Sequence, residues 1–334
     1  SSEKVIDNVI FLGSKEDVIS AAKTFVERCR AAGATLNDQQ EIDELGVERL
    51  ATQVDDWCGV RLDLKEKTVA QTVKSVEKLR VSWMRRDAWT WRHFAGHIGL
   101  LFWSWGINDL PMADFFPTLS FLSKASQLLA ENEDLWDAPA RIWPSVWPNL
   151  ERWTQISTAN VPRRVHDFSG APDWYVVTDA SAYGWGYIAL NERSGEYRAH
   201  GEGWNQLTRR LYGEALRHST FAEPLAIKMS LNHLLPRCPS APVRVKLGTD
   251  SVTAMAVFNH GWASRSYAIN EVVRAVQEEF GSMFKFEAHH VPGVANIADG
   301  RSRGLVETAK AGEVSGAEIE SFAAIRKQYM GAGN

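Results

Sequence analysis

The chain is poor in cysteine, with three in 334 residues (Cys29, Cys58 and Cys238) spaced too widely for a disulfide framework or a zinc pattern. Buried thiols in a reducing compartment are the plain expectation, which points to an intracellular setting, cytoplasm or nucleus. A long apolar run is also missing. The longest, Ile98 to Trp105, contains Gly99 and Ser104 and is too short to span a bilayer, so no membrane is expected as a partner. No signal-peptide pattern is present. Nor is there a large excess of charge: 37 basic and 41 acidic residues leave a net −4, which excludes a bulk polycation. Such a balance still suits a nucleic-acid binder whose acids cluster at a metal site and whose bases line a track. The chain starts at Ser1 without methionine and reads as strand by Val5, as expected of a piece of something longer.

The composition that remains is globular. Hydrophobic residues make up 45% and charged residues 23%, enough core for two or three domains and little room for disorder. Fourteen tryptophans are many for this length; most should be core, and exposed ones can act as stacking platforms.

Apolar periodicity divides the chain. Lys4 to Leu12 is strand-like and broken by Asp7-Asn8, a hairpin signal. Ser14 caps a helix whose stripe is Val18, Ala21, Phe25, Cys29 and Ala32, ended by Gly33. A short strand is expected near Trp57 to Leu64. Two helical stripes follow: Val69, Val73, Val76 and Leu79, then Phe94, Ile98, Leu101 and Trp105. Lys74, Lys78, Arg80, Arg85, Arg86 and Arg92 outnumber Glu77 and Asp87 there and are interleaved with Trp83, Trp89 and Trp91. Such a surface can track a phosphate backbone, or it can be a solvated helix face. Residues 136–172 are rich in Trp and Pro and read as a packed connection. Beyond it the pattern becomes α/β: strands at Trp174 to Thr178, Tyr187 to Leu190, Glu196 to Gly201, Val243 to Thr249 and Met283 to Val291, with helices at Phe221 to Leu235, Val252 to His260 and Ser266 to Phe280. That order predicts a mixed five-stranded sheet flanked by helices. The tail after Leu305 carries no legible motif.

Four acids in this second half sit where a metal site would want them. Asp179 ends the first strand, Glu223 lies near a helix start, Asp250 follows the fourth strand, and Asp299 opens a last short helix. Mg²⁺ takes oxygen ligands and keeps several waters, so a few carboxylates with phosphate oxygens complete its shell. Two such ions about 4 Å apart can serve both the attacking and the leaving oxygen of a phosphodiester. Any one of these acids alone is equally well a solvated turn residue.

Their local sequences resemble the RNase H domains of retroelement reverse transcriptases. The matching stretches are Val177-Thr178-Asp179-Ala180-Ser181 with Gly184-Trp185-Gly186, then Phe221-Ala222-Glu223-Pro224-Leu225-Ala226, then Gly248-Thr249-Asp250-Ser251. The last runs from His290-Val291-Pro292-Gly293 through Asn296 and Ala298-Asp299 to Arg301-Ser302-Arg303. The resemblance implies an RNase H-like fold and cleavage of the RNA strand of an RNA–DNA hybrid. It implies Asp179, Glu223, Asp250 and Asp299 as catalytic acids holding two Mg²⁺ or Mn²⁺ ions. Ser251, Arg301, Lys74, Arg85 and Arg86 would contact nucleic acid. Two departures stand out. Pro224 follows the glutamate directly, so the helix is expected to begin close to Glu223, with Glu214 as a less favoured substitute. The loop before Asp299 is short and lacks the extra histidine of cellular RNases H, while His289 and His290 read as strand end.

The resemblance reaches upstream. Val5-Ile6-Asp7-Asn8 looks like the hairpin of a reverse-transcriptase palm in which Val5 replaces tyrosine and Asn8 the second aspartate; Gly33 to Asn37 fits the next palm element. Trp57-Cys58-Gly59-Val60 resembles the grip before a thumb. The implied organisation is a partial palm (1–65), a helical thumb (66–125), a Trp/Pro-rich connection (126–165), an RNase H-like domain (166–306) and a tail (307–334). Polymerase activity is not expected from Asp7 alone, and the implied partners are a hybrid and the absent polymerase portion or a larger complex. Two other readings of the same residues are a domesticated, non-catalytic nucleic-acid-binding or assembly module and a DNA-directed nuclease of the same fold.

Overall fold

A computed structural model describes residues 13–34, 36, 39–50, 53–168, 170–236, 239–263, 266–305 and 312–331. Asp7, Asn8 and the hairpin expected around them lie outside the described residues. The chain divides into two compact units. One takes in the described residues up to Asp109 with Asp137–Ala140 and Thr154–Val165; the other takes in Leu110–Trp136, Arg141–Trp153 and the described residues from His166 on.

In the first unit, Ser14 caps helix α1 (Lys15–Ala31) through a bond from Asp17 N, and α2 (Gln39–Leu45) follows. The single strand expected near 57–64 is a hairpin of β1 (Val54–Trp57) and β2 (Val60–Asp63). It turns at Cys58 and Gly59, both with positive φ (48° and 83°), the requirement of a tight two-residue turn. Cys58 is therefore exposed, whereas Cys29 is buried as expected. Strand β3 (Thr68–Gln71) pairs with β2 and with the short β4 (Arg163–Arg164), so the sheet order is β1-β2-β3-β4. Val69 thus belongs to a strand and not to the helical stripe it was grouped with. Helix α3 (Val73–Met84) starts only after the Thr72 cap and buries Val76 and Leu79, leaving Val73 exposed. Helix α4 (Trp91–Asn108) buries Phe94, Ile98 and Leu101.

The second unit begins with α5 (Phe116–Glu131) and the first half of α6 (Trp147–Ala159), a helix that the two units share. Phe115 stacks on the fully buried Trp153 at 4.7 Å, and Asp114 takes ion pairs from Arg152 and Arg274. Next come β5 (Trp174–Ala180), β6 (Gly184–Asn191), β7 (Glu196–Gly203), α7 (Gln206–Tyr212), α8 (Ser219–Leu234), β8 (Val243–Thr249), α9 (Val252–His260), α10 (Tyr267–Phe280), β9 (Phe284–His290), α11 (Asp299–Ser302) and α12 (Gly316–Tyr329).

The sheet order is β7-β6-β5-β8-β9, with β5, β6 and β7 antiparallel and β8 and β9 parallel to β5. This is the expected RNase H-like mixed sheet. Its two faces follow the period of two along β5. Trp174 and Val176 face a core built with α8, α9 and α10. Tyr175 and Val177 face a second core made with Ala298, Phe322, Ile325 and Met330. The second core rests on α12, which the sequence reading of the tail did not anticipate; nor did it anticipate α7.

Helix α8 begins at Ser219, a turn earlier than Pro224 led us to expect. Pro224 is the sixth helical residue. Phe221 N and Ala222 N already bond to His218 O, so the first turn is closed before the proline forfeits its own N–H bond.

Candidate metal centre

Strand order brings the acids together. The neighbouring parallel strands β5 and β8 point the same way, and Asp179 and Asp250 lie at their C-terminal ends. Glu223 reaches the same edge from α8. One carboxylate oxygen from each of Asp179, Glu223 and Asp250 lies within 4.8 Å of the other two, a group that can hold a metal ion.

Asp179 and Glu223 are each held by their own partners. Asp179, 3% exposed, accepts from Asn296 Nδ2 at 3.0 Å on one oxygen and from Ser302 Oγ on the other. Glu223, 2% exposed, accepts from Ala180 N at 2.9 Å and Thr249 Oγ1 at 3.3 Å. Asp250 is half-buried. Asp299 is outside the tight trio and more exposed; its Oδ1 accepts from Arg303 Nε at 2.7 Å. It is still near enough for its charge to act on Asp179 and Asp250.

Crowding like charges in a desolvated corner opposes ionisation. Burial pushes Asp179 up to about 6 against the Ser302 hydrogen bond, with Asp250 and Asp299 adding to the rise. Burial, then the charges of Asp179 and Asp250, push Glu223 up to about 9. Asp250 is also raised, chiefly by burial. An all-oxygen donor set that is strained when ionised without a cation fits a hard divalent ion such as Mg²⁺ or Mn²⁺.

The other residues singled out from sequence fall differently. Ser251 caps α9, its Oγ accepting from Ala254 N at 3.1 Å. Glu214 is exposed in a short 3₁₀ turn against Arg217, outside the acid group. Arg301, read as a nucleic-acid contact, is instead 3% exposed, and its guanidinium is taken up by Glu318 and Glu313 O. Lys74 and Arg85 are exposed at the ends of α3, and Arg86 lies over the Trp83 ring. Trp89 and Trp91 are each 5% exposed and belong to the core, so they offer no stacking platform. His290 ends β9 and is exposed.

No protein-family model matches the chain, and no curated protein sequence does either. Similarity is found among solved structures. RNase H1 from the halophilic archaeon Halobacterium salinarum NRC-1 aligns at 11% identity over 40% of this chain and 97% of its own, with a TM-score of 0.26. The foamy viral protease–reverse transcriptase in complex with RNA/DNA hybrid aligns at 10% identity over 71% of this chain and 29% of its own, with a TM-score of 0.25. A foamy viral protease–reverse transcriptase dRH in complex with double-stranded DNA gives 11%, 70%, 37% and 0.26. Scores this low leave the fold assignment resting on strand order and direction.

Two groups in this site carry no role in the sequence reading. Asn296 and Ser302 both lie within the matched stretch, but their bonds to Asp179 were not foreseen. The signal was present: polar residues three before and three after an acid, one ahead of a one-turn helix and one at its end.

Proposed function

We propose that this chain is the RNase H part of a retroelement reverse transcriptase and cleaves the RNA strand of RNA–DNA hybrids with divalent cations. The observation that carries the reading is the convergence of Asp179, Glu223 and Asp250 at one edge of a β7-β6-β5-β8-β9 sheet. Asp179, Glu223, Asp250 and Asp299 would hold two Mg²⁺ or Mn²⁺ ions. When bound, such ions supply positive charge that favours deprotonation of a water and offsets charge on the leaving oxygen. The protein supplies orientation: Asn296 and Ser302 fix both oxygens of Asp179, and Ala180 N–H and Thr249 fix Glu223. Attack of water on phosphorus breaks the P–O3′ bond and leaves 5′-phosphate and 3′-hydroxyl ends. On this reading residues 1–65 are a palm remnant, 66–125 a thumb and 126–165 a connection that do not polymerise by themselves, and recognition is of hybrid shape and 2′-hydroxyls. The exposed Lys74 and Arg85 would contribute phosphate contacts.

The test is a labelled hybrid incubated with Mg²⁺ or Mn²⁺, comparing the chain with Asp250→Asn. Cleavage by the parent and loss in the variant are expected. Equal cleavage by both would sink the assignment. Tight binding without cleavage by either would support the non-catalytic binding module, and cleavage of duplex DNA the DNA-directed nuclease.

A further inference from the structure

Helix α11 is a single turn of four residues, too short to hold its shape alone. Yet it carries much of the site. Asp299 opens it, Ser302 Oγ donates to Asp179, and Ser302 O accepts from Ser181 Oγ at 2.7 Å. Its backbone is pressed on the sheet at two glycines. A Cβ on Gly186 would meet Arg301 Cβ at 2.8 Å and Ser302 N at 2.9 Å, and one on Gly201 would meet Arg301 O at 2.5 Å.

Arg301, between these groups, turns its guanidinium to α12 and the residues just before it. Its Nε and one terminal nitrogen donate to Glu318 Oε1 at 3.2 and 2.9 Å, and that same nitrogen donates to Glu313 O at 2.8 Å. Glu318 is fixed in turn, because its Oε2 accepts from Ser315 N and Ser315 Oγ, both at 2.9 Å, in the capping box of α12. The far end of α12 is held by the buried Lys246, whose Nζ donates to Met330 O at 2.6 Å. Between its ends, Phe322 and Ile325 are buried against the face that also carries Asp179.

We propose that Arg301 and Glu318 are positioning residues for the metal centre: their ion pair, buried on the arginine side, ties α11 to α12 and so sets Asp299 and the Ser302–Asp179 bond. Helix α12 is then a part of the site's support and not an appendage. This rests on the metal-centre reading above. The pair acts on the cation through other residues, and such supporting contacts typically change metal affinity about 10–100-fold when lost.

The experiment titrates Mn²⁺ into the cation-free full chain by calorimetry, with thermal unfolding measured alongside. Glu318→Gln should weaken Mn²⁺ binding by about tenfold. Phe322→Leu, which loosens α12 without touching the ion pair, should lower the unfolding midpoint and leave Mn²⁺ binding at the parent value. Should Glu318→Gln not fold, the neutral pair Arg301→Gln with Glu318→Gln is measured in its place, with the same weakening expected. Parent-like Mn²⁺ binding in the ion-pair variants, or equal weakening by Phe322→Leu, overturns the proposal while leaving the metal centre intact. A parent chain that binds no Mn²⁺ takes down both.

Discussion

Replacing Asp179 by asparagine should stabilise the cation-free protein at neutral pH, although it removes a residue placed at the centre of the site. Burial pushes the Asp179 carboxyl up to about 6 in the fold, from an ordinary value of 3.8. As pH rises through that window the unfolded chain loses its proton first, so the native state binds more protons and its stability falls. The loss is complete above the folded value. A rise of about two units corresponds to roughly 3 kcal/mol at about 1.4 kcal/mol per unit. Asparagine carries no charge and keeps an acceptor for Asn296 Nδ2. Ser302 Oγ loses its carboxylate acceptor but already lies 3.0 Å from Asp299 O, to which it can donate. Setting about 1 kcal/mol against the altered hydrogen bond leaves a net gain of roughly 2 kcal/mol. The assay is urea unfolding with a chelator at about pH 7.5 and at about pH 4, where the folded Asp179 carboxyl is protonated and neutral like asparagine and the gain should vanish. Repeating it in saturating Mg²⁺ should reverse the order, because the parent alone gains binding energy. A variant less stable than the parent in chelator at neutral pH, or an effect independent of pH, would refute the electrostatic reasoning.

Because Glu223 stays protonated up to about 9 without a cation, divalent binding near neutral pH should release about one proton. Calorimetry in buffers of different ionisation enthalpy reads that number, and zero release would contradict the assigned environment. The first unit should respond to pH in the opposite sense. His97 is fully buried between Ser82 Oγ and Thr154 Oγ1 and lowered by burial to about 4 from 6.5, so stability is lost as pH falls from about 6.5 toward 4. Hydrogen exchange of α4 amides should accelerate in that window, and His97→Gln should flatten the response; an unchanged profile would count against it.

Asp179 and Asp250 were legible from sequence because each follows a run of strand residues and sits in a matched stretch. Glu223 was legible as a residue near the start of a helix expected from Phe221, two residues after the observed start. Pro224 pointed to a start near 223, whereas α8 starts at Ser219 and accommodates the proline after its first turn. Arg301 shows a different failure. A basic residue beside the acids reads as a ligand contact, and only the buried position of its side chain against Glu318 shows otherwise. Trp89 and Trp91 in the basic, Trp-rich stretch misled for the same reason, since local sequence does not say which side of a segment faces the core. In the tail, the Ser315–Glu318 capping box was not read from the sequence, nor was its purpose. It becomes intelligible only with the second face of the sheet that Phe322 and Ile325 cover.

Order along the chain, the period of two in the strands and the acids at their ends are local properties, so the sequence alone determined the α/β class, the mixed sheet and the candidate acids. What tertiary structure decided is which groups share a few ångströms. The trio of Asp179, Glu223 and Asp250, the bonds of Asn296 and Ser302 to Asp179, and the turn of Arg301 toward α12 join residues more than 10, and in places more than 100, positions apart. Such proximity comes from strand order and from helices packing on two opposite faces. No local pattern encodes it.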